Sequence, residues 1–162
     1  MASDAEPILS DAQKIILLYA ESTRAAVAGK PYTWGGSTTA GFDCSGFVIY
    51  VFNEAYGSNT LPRVTADALR TNGRFKAVTG AEAPGDLVFF SAAAGGKTAS
   101  HVGIVVSAQE WIGCQSSTGV AYVKTSNAYW KKRHLAFGRY APIKAWDGII
   151  PYRAGSYAST IC

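Results

Sequence analysis

Apolar residues recur at helical spacing in the first part of the chain and at strand spacing after it. Ser10-Asp11-Ala12-Gln13 forms a capping box, in which the Ser10 hydroxyl accepts from the Gln13 amide and the Gln13 side chain reaches back. The helix it opens is expected to run to about Ala28, with Gly29 as a stop and Pro31 barring continuation. Residues 31–42 are rich in Gly, Thr and aromatics and predict a loop. From Gly46 to Ala55, Phe47, Val48, Val51, Phe52 and Ala55 share one side, which predicts a buried helix ended by Gly57. A short third helix is expected around residues 65–71. The pattern then changes to strands: 86–90 after Pro84-Gly85, the β-branched run 101–106, 111–114 and 120–123 around a turn with Gly119, and 136–140. Helices first and a meandering sheet second predict an α+β fold, in one domain spanning 1–162.

Composition narrows the class further. Of 162 residues, 48% are hydrophobic and 16% charged, so the chain is expected to fold around a real core. A formal net charge of +4 favours anionic surfaces without choosing among them. The dense basic cluster is Lys131, Lys132 and Arg133, beside His134. No basic stripe with interleaved aromatics accompanies it, so a solvated turn or helix end is expected rather than a nucleic-acid surface. The apolar run Ile15–Ala20 is far too short to span a membrane. Met1-Ala2-Ser3-Asp4-Ala5-Glu6 has acids where a signal peptide carries a basic patch. A soluble monomer is expected, either retained inside, exported by another route, or stripped of a signal.

Three cysteines, Cys44, Cys114 and Cys162, leave at least one unpaired, and a Cys114–Cys162 disulfide is conceivable in an oxidising compartment. Cys44 follows a Gly-rich loop and opens a helix. A thiol there sits at the positive end of the helix dipole, which lowers its pKa and favours the nucleophilic thiolate. The competing expectation is an inert core cysteine. His101 opens a strand, where it could face a helix start and take a thiol proton; a lone His is also commonly a hydrogen-bonded surface group.

Ordered motifs then carry a resemblance. Pro31-Tyr32-Thr33-Trp34-Gly35-Gly36 and Gly41-Phe42-Asp43-Cys44-Ser45-Gly46-Phe47 are followed by Leu61-Pro62-Arg63, by Pro84 to Phe90, and by His101-Val102-Gly103-Ile104-Val105-Val106. Tyr129-Trp130-Lys131-Lys132-Arg133 completes the series. Over roughly residues 10–141 the chain resembles the NlpC-type cell-wall peptidases. The resemblance implies a papain-like fold, with the N-terminal helices packed on a central antiparallel sheet. It implies a cysteine amidase or endopeptidase acting on peptidoglycan stem peptides, most often between D-glutamate and a diamino acid. Cys44 falls on the nucleophile position and His101 on the base. Asp43, Ser45 and Tyr32 fall on positions that shape the substrate site near the peptide's free amine, although Asp43 could equally cap the helix and Tyr32 be core. The implied chemistry requires no metal or other cofactor.

One position departs from the pattern. Family members usually place a third polar group, often His, one strand after the base, where it orients the imidazole. A gap-free reading puts Gly113 there. The slot then shifts to Cys114 or Gln115, a backbone carbonyl serves, or activity is weakened. In a regular strand Gln115 shares the side of Gly113 and Cys114 takes the other. A cysteine here in a signal-less chain also resembles amidase toxins of type VI secretion, which points to Cys114 as the third group and to an immunity protein as partner. Such a toxin acts in the periplasm, on the cell wall. The alternatives are a wall-binding module on the same fold that has lost catalysis, and an acyltransferase.

Overall fold

A computed structural model of the chain describes residues 9–140. Cys162 lies outside that range, and with it the possible Cys114–Cys162 pairing. Among the described residues no helix is long and apolar enough to cross a membrane.

Helix α1 (Asp11–Ala26) begins at the Ser10–Gln13 capping box, both halves of which are made. A two-stranded ribbon, β1 (Ser37–Thr38) with β2 (Gly41–Phe42), leads into helix α2 (Cys44–Tyr56), and α3 (Ala66–Thr71) follows. Then come β3 (Phe75–Val78), β4 (Leu87–Phe90), β5 (His101–Val105), β6 (Glu110–Gln115), β7 (Gly119–Lys124), the single turn α4 (Ala128–Lys131) and β8 (His134–Tyr140). Six strands form one sheet in the order β3-β8-β4-β5-β6-β7, with every pairing antiparallel. The α+β expectation and most element boundaries agree with this. The sequence pattern missed the β1–β2 ribbon, two-residue strands inside the stretch expected to be loop, β3, an edge strand with one buried residue in four, and α4, too short to show a period.

The two sheet faces differ. On one, α2 buries Phe47, Val48, Val51 and Phe52 against Leu87, Phe89, Val102, Ile104 and Ile112. Each of those α2 side chains is fully buried, which contributes roughly 2 kcal/mol apiece. The other face carries a smaller cluster of Val88, Phe90, Val105 and Trp111, with Trp130 of α4 packed on it. Strand alternation decides the assignment: Val102 and Ile104 point to the helices, and their neighbour His101 points to the aromatic face.

The β5–β6 junction is a fork. The strands pair only at Ile104↔Ile112 and Val105↔Trp111. Toward His101 and Gln115 the ladder stops, and the start of α2 sits at the opening.

Candidate active site

Asp43 is the N-cap of α2, its Oδ1 accepting from the Gly46 N–H at 2.7 Å. Its other oxygen accepts from the Gly35 N–H at 3.1 Å, tying the glycine loop to the helix start. Gly46 lets that loop close down: a Cβ there would stand 1.9 Å from the Gly36 carbonyl oxygen. Cys44 is therefore fixed by main-chain geometry on both sides. Its Sγ lies 3.9 Å from the Ser100 carbonyl and meets the Val102 main-chain N–H, the two residues that flank His101. Burial pushes the thiol pKa up, the Val102 N–H acting against it. The helix start alone predicts a lowered value; here desolvation is the larger effect.

His101 is held differently. Its ring stacks on Trp130, centroids 4.5 Å apart and planes 27° apart, and Trp111 meets it edge-on at 5.7 Å. Enclosure by Phe90, Trp111 and Trp130 desolvates the imidazole and pulls its pKa down to about 4, with the Gln115 hydrogen bond opposing. His101 is neutral at pH 7.

The imidazole's polar partner is Gln115: Nε2 and Oε1 are 3.1 Å apart. Cys114 points through the sheet to the other face and donates its thiol to the Phe42 carbonyl at 3.2 Å. The side chain in contact with His101 is thus not the cysteine that the toxin likeness suggested. Gly113 now has a physical reason. A Cβ there would stand 2.7 Å from Gln115 Oε1, so the missing side chain is the space through which Gln115 reaches back.

A cleft of about 370 Å³ opens beside the thiol, lined by Tyr32, Trp34, Asp43, Cys44, Ser45 and Arg63 among others. Arg63 escaped the sequence reading as a site residue. Its guanidinium meets Asp43 Oδ2 at 2.6 Å and donates to Ser45 Oγ at 2.9 Å. Tyr32 lies against the Cys44 main-chain N–H, and burial raises its pKa to about 12, so it stands as a neutral phenol. Trp34 is 87% exposed at the rim. Tyr32, Asp43, Cys44 and Ser45 therefore converge on one cleft, the Cys44 thiol meeting the main chain on both sides of His101, while Cys114 bonds the Phe42 carbonyl. Another cavity, about 250 Å³, lies on the aromatic face away from Cys44. Among the described residues no group of three or more His, Cys, Asp or Glu is arranged to hold a metal ion.

The NlpC/P60 family model matches residues 29–139. The chain belongs to the NlpC/P60 family. The bifunctional muramidase/DL-endopeptidase CwlT of Bacillus subtilis is 41% identical over 113 residues, covering 68% of this chain and 32% of that protein. The murein DD-endopeptidase MepS/murein LD-carboxypeptidase of Escherichia coli is 39% identical over 107 residues, 65% of this chain and 53% of that one. The chain thus matches about a third to a half of these relatives. A crystal structure of an NlpC/P60 family protein from Bacillus cereus superposes with a TM-score of 0.62 at 26% identity, covering 76% of this chain and 40% of that one. The mixed fold of helices on an antiparallel sheet is that of NlpC/P60 structures.

Proposed function

We propose that the protein is a peptidoglycan hydrolase that cuts stem-peptide amide bonds, with Cys44 as nucleophile and His101 as base. The observation that carries this reading is the fork. It sets a thiol at a helix start against the main chain on both sides of a neutral imidazole, whose far nitrogen is engaged by Gln115. With Nε2 occupied, Nδ1 is the nitrogen left to accept the thiol proton. Two relatives named as endopeptidases support the substrate class.

In the resting site both groups are neutral, because burial disfavours the thiolate and the imidazolium alike. His101 takes the Sγ proton as sulfur attacks the carbonyl carbon. Tyr32 and the α2 N-terminal amides donate to the developing oxyanion. The imidazolium is stabilised by the Gln115 carbonyl oxygen and the Trp130 face. It then gives its proton to the leaving amine as the C–N bond breaks. Water hydrolyses the thioester and regenerates the thiol. Asp43 and Ser45, arranged by Arg63, form the polar wall that takes the peptide's amine end, and the bond between D-glutamate and the diamino acid is the proposed cut.

Gln115 takes the orienting role that Cys114 was expected to fill. The Gln115 side chain, reaching back over Gly113, supports catalysis over a silent wall-binding module. Digestion of purified sacculi by wild type and Cys44→Ala, with mass spectrometry of the released fragments, tests the reading. Wild type should release stem-peptide fragments whose masses name the bond, and the variant should release none. If neither releases fragments while both pellet with the wall, the binding-module reading replaces this one.

A further inference from the structure

The Gln115 amide is itself held, and the sense in which it is held has a chemical consequence. Its Nε2 donates to Thr118 Oγ1 at 3.1 Å, and the Thr118 hydroxyl donates to the Gly119 carbonyl at 2.8 Å. A carbonyl oxygen can only accept, so it takes the hydroxyl proton. The Thr118 oxygen is left as an acceptor, which suits only the nitrogen end of the Gln115 amide. The carbonyl end must then face His101, where it can only accept from Nε2–H. Each bond dictates the direction of the next, from a main-chain carbonyl to the imidazole.

We propose that Thr118 is a positioning residue that sets the His101 tautomer: through Gln115 it keeps the proton on Nε2 and the lone pair on Nδ1, facing the thiol. With the amide reversed, its N–H₂ would donate to Nε2, the ring proton would move to Nδ1, and the base would be lost. Among the described residues, the Thr118 hydroxyl is the hydrogen-bond partner that distinguishes the two ends of the Gln115 amide. The rings that meet the imidazole, those of Phe90, Trp111 and Trp130, carry no carboxylate or carbonyl to fix a tautomer. The hairpin tip that bears Thr118 is docked where Gly119 approaches the Lys30 carbonyl, a Cβ there falling 2.4 Å from it. The relay thus starts from a fixed point of the main chain.

This inference rests on His101 as the base, but its test does not need peptidoglycan cleavage. The chain has only two histidines, so ¹⁵N-labelled imidazole spectra of the full chain, with His134→Gln for assignment, read the His101 tautomer directly. Wild type should show the Nε2–H form at pH 7. Thr118→Val, at an exposed position, should show a mixture containing the Nδ1–H form. Its Cys44 alkylation rate by iodoacetamide should fall about fivefold, the size of one net hydrogen bond. The pH profile of alkylation should shift with it. Thr118→Ser, which keeps the hydroxyl, should restore both. A wild type in the Nδ1–H form, or Thr118→Val with an unchanged tautomer and alkylation profile, overturns the proposal. If the tautomer behaves as stated but sacculi are untouched, the relay stands and the substrate reading falls.

Discussion

The two halves of the proposed catalytic pair are held by different means. Cys44 stands on main chain: the first turn of α2, the Ser100 carbonyl, the Val102 N–H, and a glycine loop pinned by Asp43. His101 stands among side chains: Trp130 on its face, Trp111 at its edge, and Gln115 on Nε2. Main-chain supports survive most substitutions, because every residue supplies the same N–H and C=O. Side-chain supports do not. The imidazole half should therefore be the fragile one, and the thiol half should absorb single changes with small losses, except at Asp43, whose side chain anchors the loop and caps the helix.

The largest effect should come from the aromatic enclosure. It holds the His101 pKa at about 4, below the usual 6.5. Between those values the unfolded chain binds the proton and the folded chain does not. Stability from the neutral imidazole is therefore fully present above pH 6.5, is lost as pH falls toward 4, and stays constant below that. The shift corresponds to about 3 kcal/mol. Urea midpoints of wild type and His101→Phe across pH 4 to 7.5 should differ in slope by that order, the variant being flatter. Equal slopes would mean that the ring is not desolvated by its neighbours.

Next comes Gln115. Gln115→Leu should lower turnover on sacculi by roughly 100-fold, less than loss of a charged orienting group, because an amide dipole stabilises the imidazolium less than a carboxylate does. Gly113→Ala sharpens the point. Its new Cβ would stand 2.7 Å from Oε1, the free end of a flexible side chain, and 3.0 Å from the Trp111 ring. The amide can move away, but only by leaving His101, and the buried Trp111 ring must give by a few tenths of an ångström. Gly113→Ala should therefore lose activity almost as Gln115→Leu does, with a drop in urea midpoint of the size of one lost buried hydrogen bond. The double variant should be no slower than Gln115→Leu alone. Additive losses would show that Gly113 acts through something other than Gln115.

What could be read from sequence follows the same division. The start of α1 was legible because Ser10 and Gln13 lie three residues apart in one turn. Cys44 and His101 were legible because local motifs carry them. Gln115 was not, since its partner depends on where β5 and β6 cease to pair, and that register is set by Trp111 and Ile112 several residues away. Arg63 reaches its partners from 18 and 20 residues along the chain. Trp130 stood within a recognised motif, yet its stacking on His101 arises only when α4 folds back over the sheet. Alternation did place Gln115 and Cys114 on opposite faces. Likeness alone points to Cys114; the geometry gives the contact to Gln115.

The smallest effect should lie on the thiol side, at Arg63. The Arg63–Asp43 ion pair is short, at 2.6 Å, but the arginine side chain is 38% exposed, so solvent screens it. Without Arg63, Asp43 still accepts from the N–H groups of Gly35 and Gly46 and still caps α2. Arg63→Met should therefore cost less than about 1 kcal/mol in urea unfolding, and Cys44 alkylation should keep its wild-type rate. What Arg63 does supply is the fixed orientation of Asp43 and Ser45 in the cleft, so the concentration of stem peptide needed for half-maximal rate should rise several-fold. Asp43→Ala is the contrasting variant. It removes the cap and the anchor of the glycine loop together, and should cost about 1–2 kcal/mol and slow alkylation as well. If Arg63→Met slowed alkylation as strongly as Gln115→Leu, the thiol would depend on side chains beyond its Asp43 anchor, and the contrast between the two halves would fail.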